Sequence, residues 1–227
     1  MTAKYLYVMI SSTDTGMARF IRTFSRSSYN HVSMTLDPTL RNWWSFARYH
    51  QDAPFYGGFI KEPVERFYGN TGDAHVRIFR IEITQERSRR IQHLFVQAGR
   101  KETRLIYNYF DAIASVVNQK IAIAGSYTCL SFACAVIGRQ YRKIEDLNAA
   151  LEPHLYYEGS LAQLAPDSGN REDGYFQPIG RLKGNLLSAK QLALVTARFI
   201  RRRRVDLVDQ KLYPARYARH IGYMAQP

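Results

Sequence analysis

The sequence lacks the features that define several classes of protein. Its 227 residues include only two cysteines, too few for a disulfide framework or for a zinc site built from several cysteines. No apolar run approaches the roughly 20 residues that a membrane-spanning helix requires. The first residues, MTAKYLYVMISSTDTG, have neither the basic start nor the small-residue cleavage site of a signal peptide. We therefore expect a soluble, cytoplasmic protein.

The composition fits a globular chain with unevenly placed positive charge. Hydrophobic residues make up 46% and charged residues 22% of the sequence, which excludes a disordered chain or a coiled coil as the main structure. The formal net charge is +13, of which residues 165–227 carry +7 and residues 1–164 carry +6. More than half of the excess thus lies in the last quarter of the chain, which indicates a basic appendage able to meet an anionic partner.

Alternating apolar residues and helical spacing predict a core that mixes strands and helices. The strands that begin at His31 and Trp43 are expected to pair as an antiparallel hairpin. The predicted strands are Lys4–Ile10, His31–Asp37, Trp43–Tyr49 and His75–Thr84, with a further short extended piece in FIKEPVERF and a strand or turn in YYEGSL. The predicted helices are Met17–Phe24, 84–99, Asn108–Asn118, a buried helix from near Cys129 to Gly138, and a short helix at 144–151.

The composition changes near residue 165. Residues 1–164 are predicted to form one domain, and residues 165–227 a linker with a basic C-terminal extension. The linker is the Gly- and Pro-punctuated stretch 165–184, and an amphipathic helix is predicted over Ser188–Arg204.

Cys129 is the first candidate for chemistry. A thiol in the first turn of a helix meets the positive end of the helix dipole and unpaired backbone N–H groups, which favour the nucleophilic thiolate. The backbone N–H of Cys129 could also help to stabilise an oxyanion. The alternative is a small buried hydrophobe, the commoner role of a lone cysteine and the better description of Cys134 in the helix interior.

His31 is the natural partner for this thiol, at the start of a strand and distant in sequence, as such pairs usually are. His50 is its competitor. No HxxxH or similar cluster is present, so we expect neither a metal nor another cofactor.

A third group usually orients the imidazole. The predicted hairpin places Ser45 or Arg48 beside His31, with Glu62 a more distant option. Ser45 is our candidate, and a backbone carbonyl is the alternative.

The order of these blocks resembles that of the permuted papain-like cysteine hydrolases, in the YiiX/YaeF-like branch of the NlpC superfamily. In that branch the histidine strand precedes the nucleophile helix, as His31 precedes Cys129 here. The resemblance covers about residues 4–164. It is carried by the segments Tyr29-Asn-His31-Val-Ser, Trp44-Ser-Phe-Ala-Arg48, Pro54-Phe-Tyr-Gly-Gly-Phe-Ile-Lys-Glu62, Tyr107-Asn-Tyr109, Tyr127-Thr-Cys129-Leu-Ser-Phe and Tyr157-Glu-Gly-Ser-Leu161.

The resemblance implies an α+β fold of the permuted papain-like type, with a central antiparallel sheet packed on helices. It implies a thiol hydrolase in which Cys129 attacks an amide, thioester or ester carbonyl and His31 acts as base and then acid. The alternatives are an acyltransferase on the same site and a catalytically degenerate binding protein. A peptide, a lipid amide or another acyl compound would be the substrate.

The basic extension lies outside the resemblance. An anionic surface, either nucleic acid or membrane, could be contacted by five arginines of this extension. They are Arg198, Arg201, Arg202, Arg203 and Arg204. The alternative is a solvated helix end whose arginines complement the helix dipole.

Overall fold

The structure, a computed structural model, describes residues 3–12, 29–68, 73–100, 105–116, 119–166 and 173–201. The predicted helix Met17–Phe24 lies outside these residues. Within them the protein is α+β, with one curled sheet and helices packed on it.

Eight strands form the sheet, in the order β7-β6-β4-β3-β2-β1-β5-β8. All neighbours are antiparallel except β6 and β7, which are parallel. The strands are β1 (Lys4–Ser11), β2 (His31–Thr35), β3 (Asn42–Arg48), β4 (Gly57–Pro63), β5 (His75–Ile83), β6 (Ile106–Tyr107), β7 (Ser126–Tyr127) and β8 (Leu155–Ser160).

The predicted hairpin is confirmed. β2 and β3 pair antiparallel with Met34 opposite Trp44, and β3 continues the meander into β4 with Trp43 opposite Glu62. The FIKEPVERF segment divides into the end of β4 and a short helix. The two-residue strands β6 and β7 were not predicted, because so short a strand leaves no periodic pattern in the sequence.

Seven α-helices lie in the described residues. Several begin and end at the predicted signals: Thr84 caps the second, and Gly138 ends the fourth with a left-handed φ of 86° that favours glycine. They are α1 (Glu65–Tyr68), α2 (Gln85–Ala98), α3 (Tyr109–Val116), α4 (Cys129–Ile137), α5 (Ile144–Leu151), α6 (Leu161–Leu164) and α7 (Arg181–Arg201), with a 3-10 turn at Glu152–His154.

The core lies on both faces of the sheet. Alternate residues of β1 point to opposite faces, and both sets are buried: Leu6 and Val8 on one side, Tyr7 and Met9 on the other. The first side is covered by α2 and α4, and the second by residues of α1 and α6.

Helix α7 starts at Arg181, seven residues before the predicted Ser188, and so takes in part of the predicted linker. Gly184 explains the error in its predicted start, because glycine is usually excluded from helix interiors. Here a Cβ on Gly184 would lie only 2.6 Å from the Asp52 carbonyl oxygen, so glycine is what allows α7 to approach that loop.

The inner face of α7 is bonded to the sheet domain. The side-chain amide of Gln191 accepts from the Gly57 N–H and donates to the Gly57 carbonyl, and Arg198 donates to the Gly125 carbonyl at 2.6 Å. The described part of the C-terminal extension is therefore docked on β4 and the β7 edge. In the part of the chain that the structure describes, no helix has the length and apolar character needed to cross a membrane.

Candidate active site

Cys129 is the first residue of α4, and its position is set by a reciprocal cap. The Thr128 hydroxyl accepts from the Ser131 N–H at 3.0 Å, while the Ser131 hydroxyl accepts from the Thr128 N–H at 2.8 Å. Such a cap fixes the first turn of a helix. Since first-turn N–H groups have no intrahelical partner, the N–H of Cys129 is placed to bind an anion beside the sulfur.

His31 is the first residue of β2, and its side chain connects two groups. Its Nε2 lies 2.9 Å from Oε2 of Glu62, and the imidazole also interacts with the Cys129 thiol, which helps to raise the His31 pKa. Because Glu62 occupies Nε2, Nδ1 is the nitrogen left for the sulfur. The structure thus brings together the two residues, Cys129 and His31, that the sequence singled out.

Glu62 on β4 is the residue that faces His31 from the other side. Its Oε2 accepts hydrogen bonds from two serine hydroxyls, that of Ser33 at 3.1 Å and that of Ser45 at very short range. All four side chains are buried. Ser45, our sequence candidate for orienting the imidazole, is bonded to Glu62, and the carboxylate is the group bonded to the imidazole.

Burial and pairing act in opposite directions on these two groups. Burial lowers the pKa of His31, but the Glu62 charge, with the interaction with the Cys129 thiol and the hydrogen bond that the imidazole donates to Glu62, outweighs it and raises that pKa to about 10. Burial likewise raises the pKa of Glu62, but the His31 charge and hydrogen bond, with the nearby Arg66 and Ser45, lower it to about 2. At neutral pH the pair is therefore an imidazolium beside a carboxylate.

The register of three strands explains why Glu62 was underrated. Met34 pairs with Trp44, and Ser45 pairs with Ile60, so Ser33, Ser45 and Glu62 lie on one face of the sheet. Serine at position 45 is small, and the longer Glu62 side chain reaches past it to His31. The sequence signal for this placement is the two-residue spacing from Ile60 to Glu62, which puts both on one face of β4. It can be used only once the pairing register of β4 with β3 is known.

The other histidines lie away from Cys129. His50 is half-buried, and its Nδ1 lies 2.7 Å from the Gly174 carbonyl oxygen. His75, His93 and His154 are exposed, and His220 lies outside the described residues. Within those residues, no group of three or more His, Cys, Asp or Glu side chains is placed to hold a metal ion.

A cavity of about 170 Å³ opens beside Cys129. Tyr107 lines it, and burial, with the charges of Cys129, Tyr109 and Asp111, raises the pKa of its hydroxyl well above the usual range. Asp111 also lines the cavity, and burial raises its pKa despite a hydrogen bond from the Ile121 N–H. A phenol and a carboxyl, each with a pKa above its ordinary value, therefore line the cavity together with the thiol.

The rim of this cavity is more basic than its floor. Lys120, Arg142 and Lys143 line it together with the single acidic rim residue Glu145, and the aromatic wall is completed by Tyr29 and Tyr141. A cavity of this volume admits a small acyl group.

Comparison with known proteins gives no match: no family model, no curated protein and no solved structure matches the chain.

Proposed function

We propose that this protein is a cysteine hydrolase that cleaves an amide, thioester or ester bond through an acyl-enzyme at Cys129. The observation that carries the proposal is the chain of contacts from the Cys129 thiol through His31 to Glu62. Its members come from α4, β2 and β4, so only the fold brings them together. A nucleophile, a base and an orienting carboxylate in this order constitute a catalytic triad.

The chemistry would proceed in two halves. The Cys129 thiolate attacks the carbonyl carbon, and the oxyanion that forms is stabilised by the N–H groups at the start of α4. The His31 imidazolium gives its proton to the leaving nitrogen, sulfur or oxygen as the bond to carbon breaks. The neutral imidazole then takes a proton from water as that water attacks the acyl-enzyme thioester at Cys129. This step releases the carboxylic acid and restores the Cys129 thiolate.

The arrangement of the elements supports a permuted papain-like fold. A cysteine opens a buried helix that packs on an antiparallel sheet, and the histidine and carboxylate strands precede that helix in the chain. The order of these elements is therefore consistent with the class of enzyme that the triad suggests.

Alkylation by iodoacetamide tests the activated pair, and Cys134 is an internal control. Cys134 is fully buried, and burial raises the pKa of its thiol, so it should label slowly. We expect Cys129 to be labelled selectively at a pH well below the ~8.5 of an ordinary thiol, and this labelling to slow in His31→Ala. Equal, slow labelling of both cysteines that ignores His31 would refute the enzyme proposal.

An acyl-thioester substrate analogue distinguishes the hydrolase from an acyltransferase. After incubation with this analogue, the intact mass of the wild-type protein should increase by the mass of the acyl group. The intact mass of Cys129→Ser should not change. Decay of that adduct in water alone supports a hydrolase. Decay that requires an added amine or alcohol identifies an acyltransferase.

A further inference from the structure

Helix α7 is amphipathic, but it turns its polar side toward the domain and its apolar side outward, the reverse of the usual arrangement. The residues that it turns toward the domain are small or polar, namely Gly184, Ser188 and Gln191, with Val195 the only aliphatic one. One set of its exposed residues is apolar: Leu182 is 87% exposed, Leu186 54% and Ile200 72%, and Ala189 and Ala193 are exposed between them.

These outward residues form one continuous stripe. At 3.6 residues per turn, positions 182, 186, 193 and 200 fall within about 40° of one another around the helix axis, opposite the docked residues. We call the stripe Leu182, Leu186, Ala189, Ala193 and Ile200 the outer face of α7. A soluble protein seldom leaves such a face in water, so its presence indicates a partner.

The charges beside the outer face are of one sign. Lys183, Lys190 and Arg201 lie about 70–90° around the axis from its centre and are exposed. Residues 181–201 contain no Asp or Glu. The next three residues, Arg202–Arg204, add further positive charge by sequence and lie outside the described residues. Arg198 does not add to this surface, because its guanidinium is bonded to Gly125 and Ser126.

An anionic lipid surface fits both the apolar stripe and the positive charges beside it. Nucleic acid and a second copy of α7 each fit only one of these two features. Nucleic acid would attract the cations but would leave the apolar stripe uncovered. A second copy of α7 would cover the stripe but would bring cations against cations, with no acidic residue on the helix to pair them. A lipid interface accepts apolar side chains among its acyl chains and attracts the lysines that flank them.

We infer that the outer face of α7 binds the surface of an anionic membrane, with the helix lying in the plane of the interface. The docked inner face holds α7 to the domain through Gln191 and Arg198, so the whole domain would follow it to the membrane. Arg198 is bonded next to β7, the strand that leads to Cys129. The inference does not depend on the activity of Cys129.

Vesicle sedimentation tests the inference with the full chain. We expect binding to phosphatidylcholine vesicles that contain phosphatidylglycerol, and binding about tenfold or more weaker to phosphatidylcholine alone. Leu182→Ser/Ile200→Ser should lose about tenfold or more on the anionic vesicles. The matched control Val96→Ser/Leu155→Ser removes apolar side chains that are 53% and 39% exposed elsewhere and should bind as wild type does.

A second pair of variants isolates the charge. Lys183→Gln/Lys190→Gln should weaken binding to anionic vesicles several-fold, whereas Arg89→Gln/Arg139→Gln, which makes the same change in net charge at exposed positions elsewhere, should not. Thermal unfolding of all four variants reports whether they remain folded.

Several outcomes would overturn the inference. One is anionic-vesicle binding that is unchanged in Leu182→Ser/Ile200→Ser. Another is binding to duplex DNA or RNA with none to vesicles. A third is a wild-type dimer that dissociates in the serine variant and does not bind vesicles. A last one is vesicle binding only after residues 205–227 are removed, which would mean that the chain covers its own α7.

Discussion

Oε2 of Glu62 lies 2.9 Å from Nε2 of His31 although the two residues sit on strands separated by β3. The contact spans the intervening strand because Ser45 is small and donates to the same carboxylate oxygen. In its buried setting the carboxylate holds a proton on the imidazole, and the imidazolium in turn faces the Cys129 sulfur. Glu62 therefore affects the charge that faces the sulfur, and it does so through His31.

Glu62→Gln should separate charge from shape at this contact. The amide keeps the size of the side chain but removes the charge that holds the pKa of His31 high, so that pKa should fall. We expect turnover to drop by about 10²-fold or more, and alkylation of Cys129 to need a higher pH. Glu82→Gln, the same change at an exposed position of β5, is the control. A wild-type pH profile in Glu62→Gln would show that the carboxylate does not act through His31.

Ser45→Ala and Ser33→Ala should have smaller effects than Glu62→Gln. Each removes one of the hydroxyl bonds to Glu62 and leaves the bond between Glu62 and His31 in place. We expect each variant to lose about 1 kcal/mol of stability and only a few-fold in turnover. Chemical denaturation and steady-state kinetics provide the two measurements. If Ser45→Ala lost as much activity as Glu62→Gln, the serine would itself be bonded to the reacting imidazole.

Much of the local structure could be predicted from the sequence. The limits of α4 and α5 agree with the pattern of Cys129–Gly138 and of residues 144–151, because caps, glycine stops and apolar spacing act within a few residues. The pairing of β2 with β3 followed for the same reason, since the two strands are joined by a short connection.

What could not be predicted depends on contacts between distant residues. The position of Glu62 beside His31 depends on the pairing register of β4 with β3. That register cannot be predicted from the sequence, because the PFYGG segment interrupts the strand pattern between them. The start of α7 depends on the approach of Gly184 to Asp52, a contact 132 positions apart in the chain. The sequence predicts an amphipathic helix here, but which of its faces docks on the domain depends on the contacts of Gln191 and Arg198 with distant residues.

The stability of the protein should depend on pH through the His31–Glu62 pair. The pKa of His31 is raised from 6.5 to about 10, so its contribution is complete below 6.5 and is lost as the pH rises through 10. The pKa of Glu62 is lowered from 4.5 to about 2, so its contribution is complete above 4.5 and is lost as the pH falls through 2. The pair should therefore stabilise most between pH 4.5 and 6.5.

Thermal unfolding of wild type and Glu62→Gln across this range provides the measurement. The difference between their melting temperatures should be largest between pH 4.5 and 6.5 and should shrink toward both extremes. Glu82→Gln should give a small difference with no such maximum. A difference for Glu62→Gln that does not vary with pH would contradict the charged state of the pair.

Gly184→Ala tests how α7 is held on the domain. Alanine normally stabilises a helix interior by about 1 kcal/mol relative to glycine, but here the added Cβ would lie 2.6 Å from the Asp52 carbonyl oxygen. That atom belongs to the backbone, so the contact can be relieved only by moving the loop or the helix. We expect a net loss of about 1–3 kcal/mol, measured by chemical denaturation. Asn185→Ala, at the next and exposed position, should be neutral or slightly stabilising. If Gly184→Ala were also stabilising, the N-terminal part of α7 would not be packed closely against the Asp52 loop.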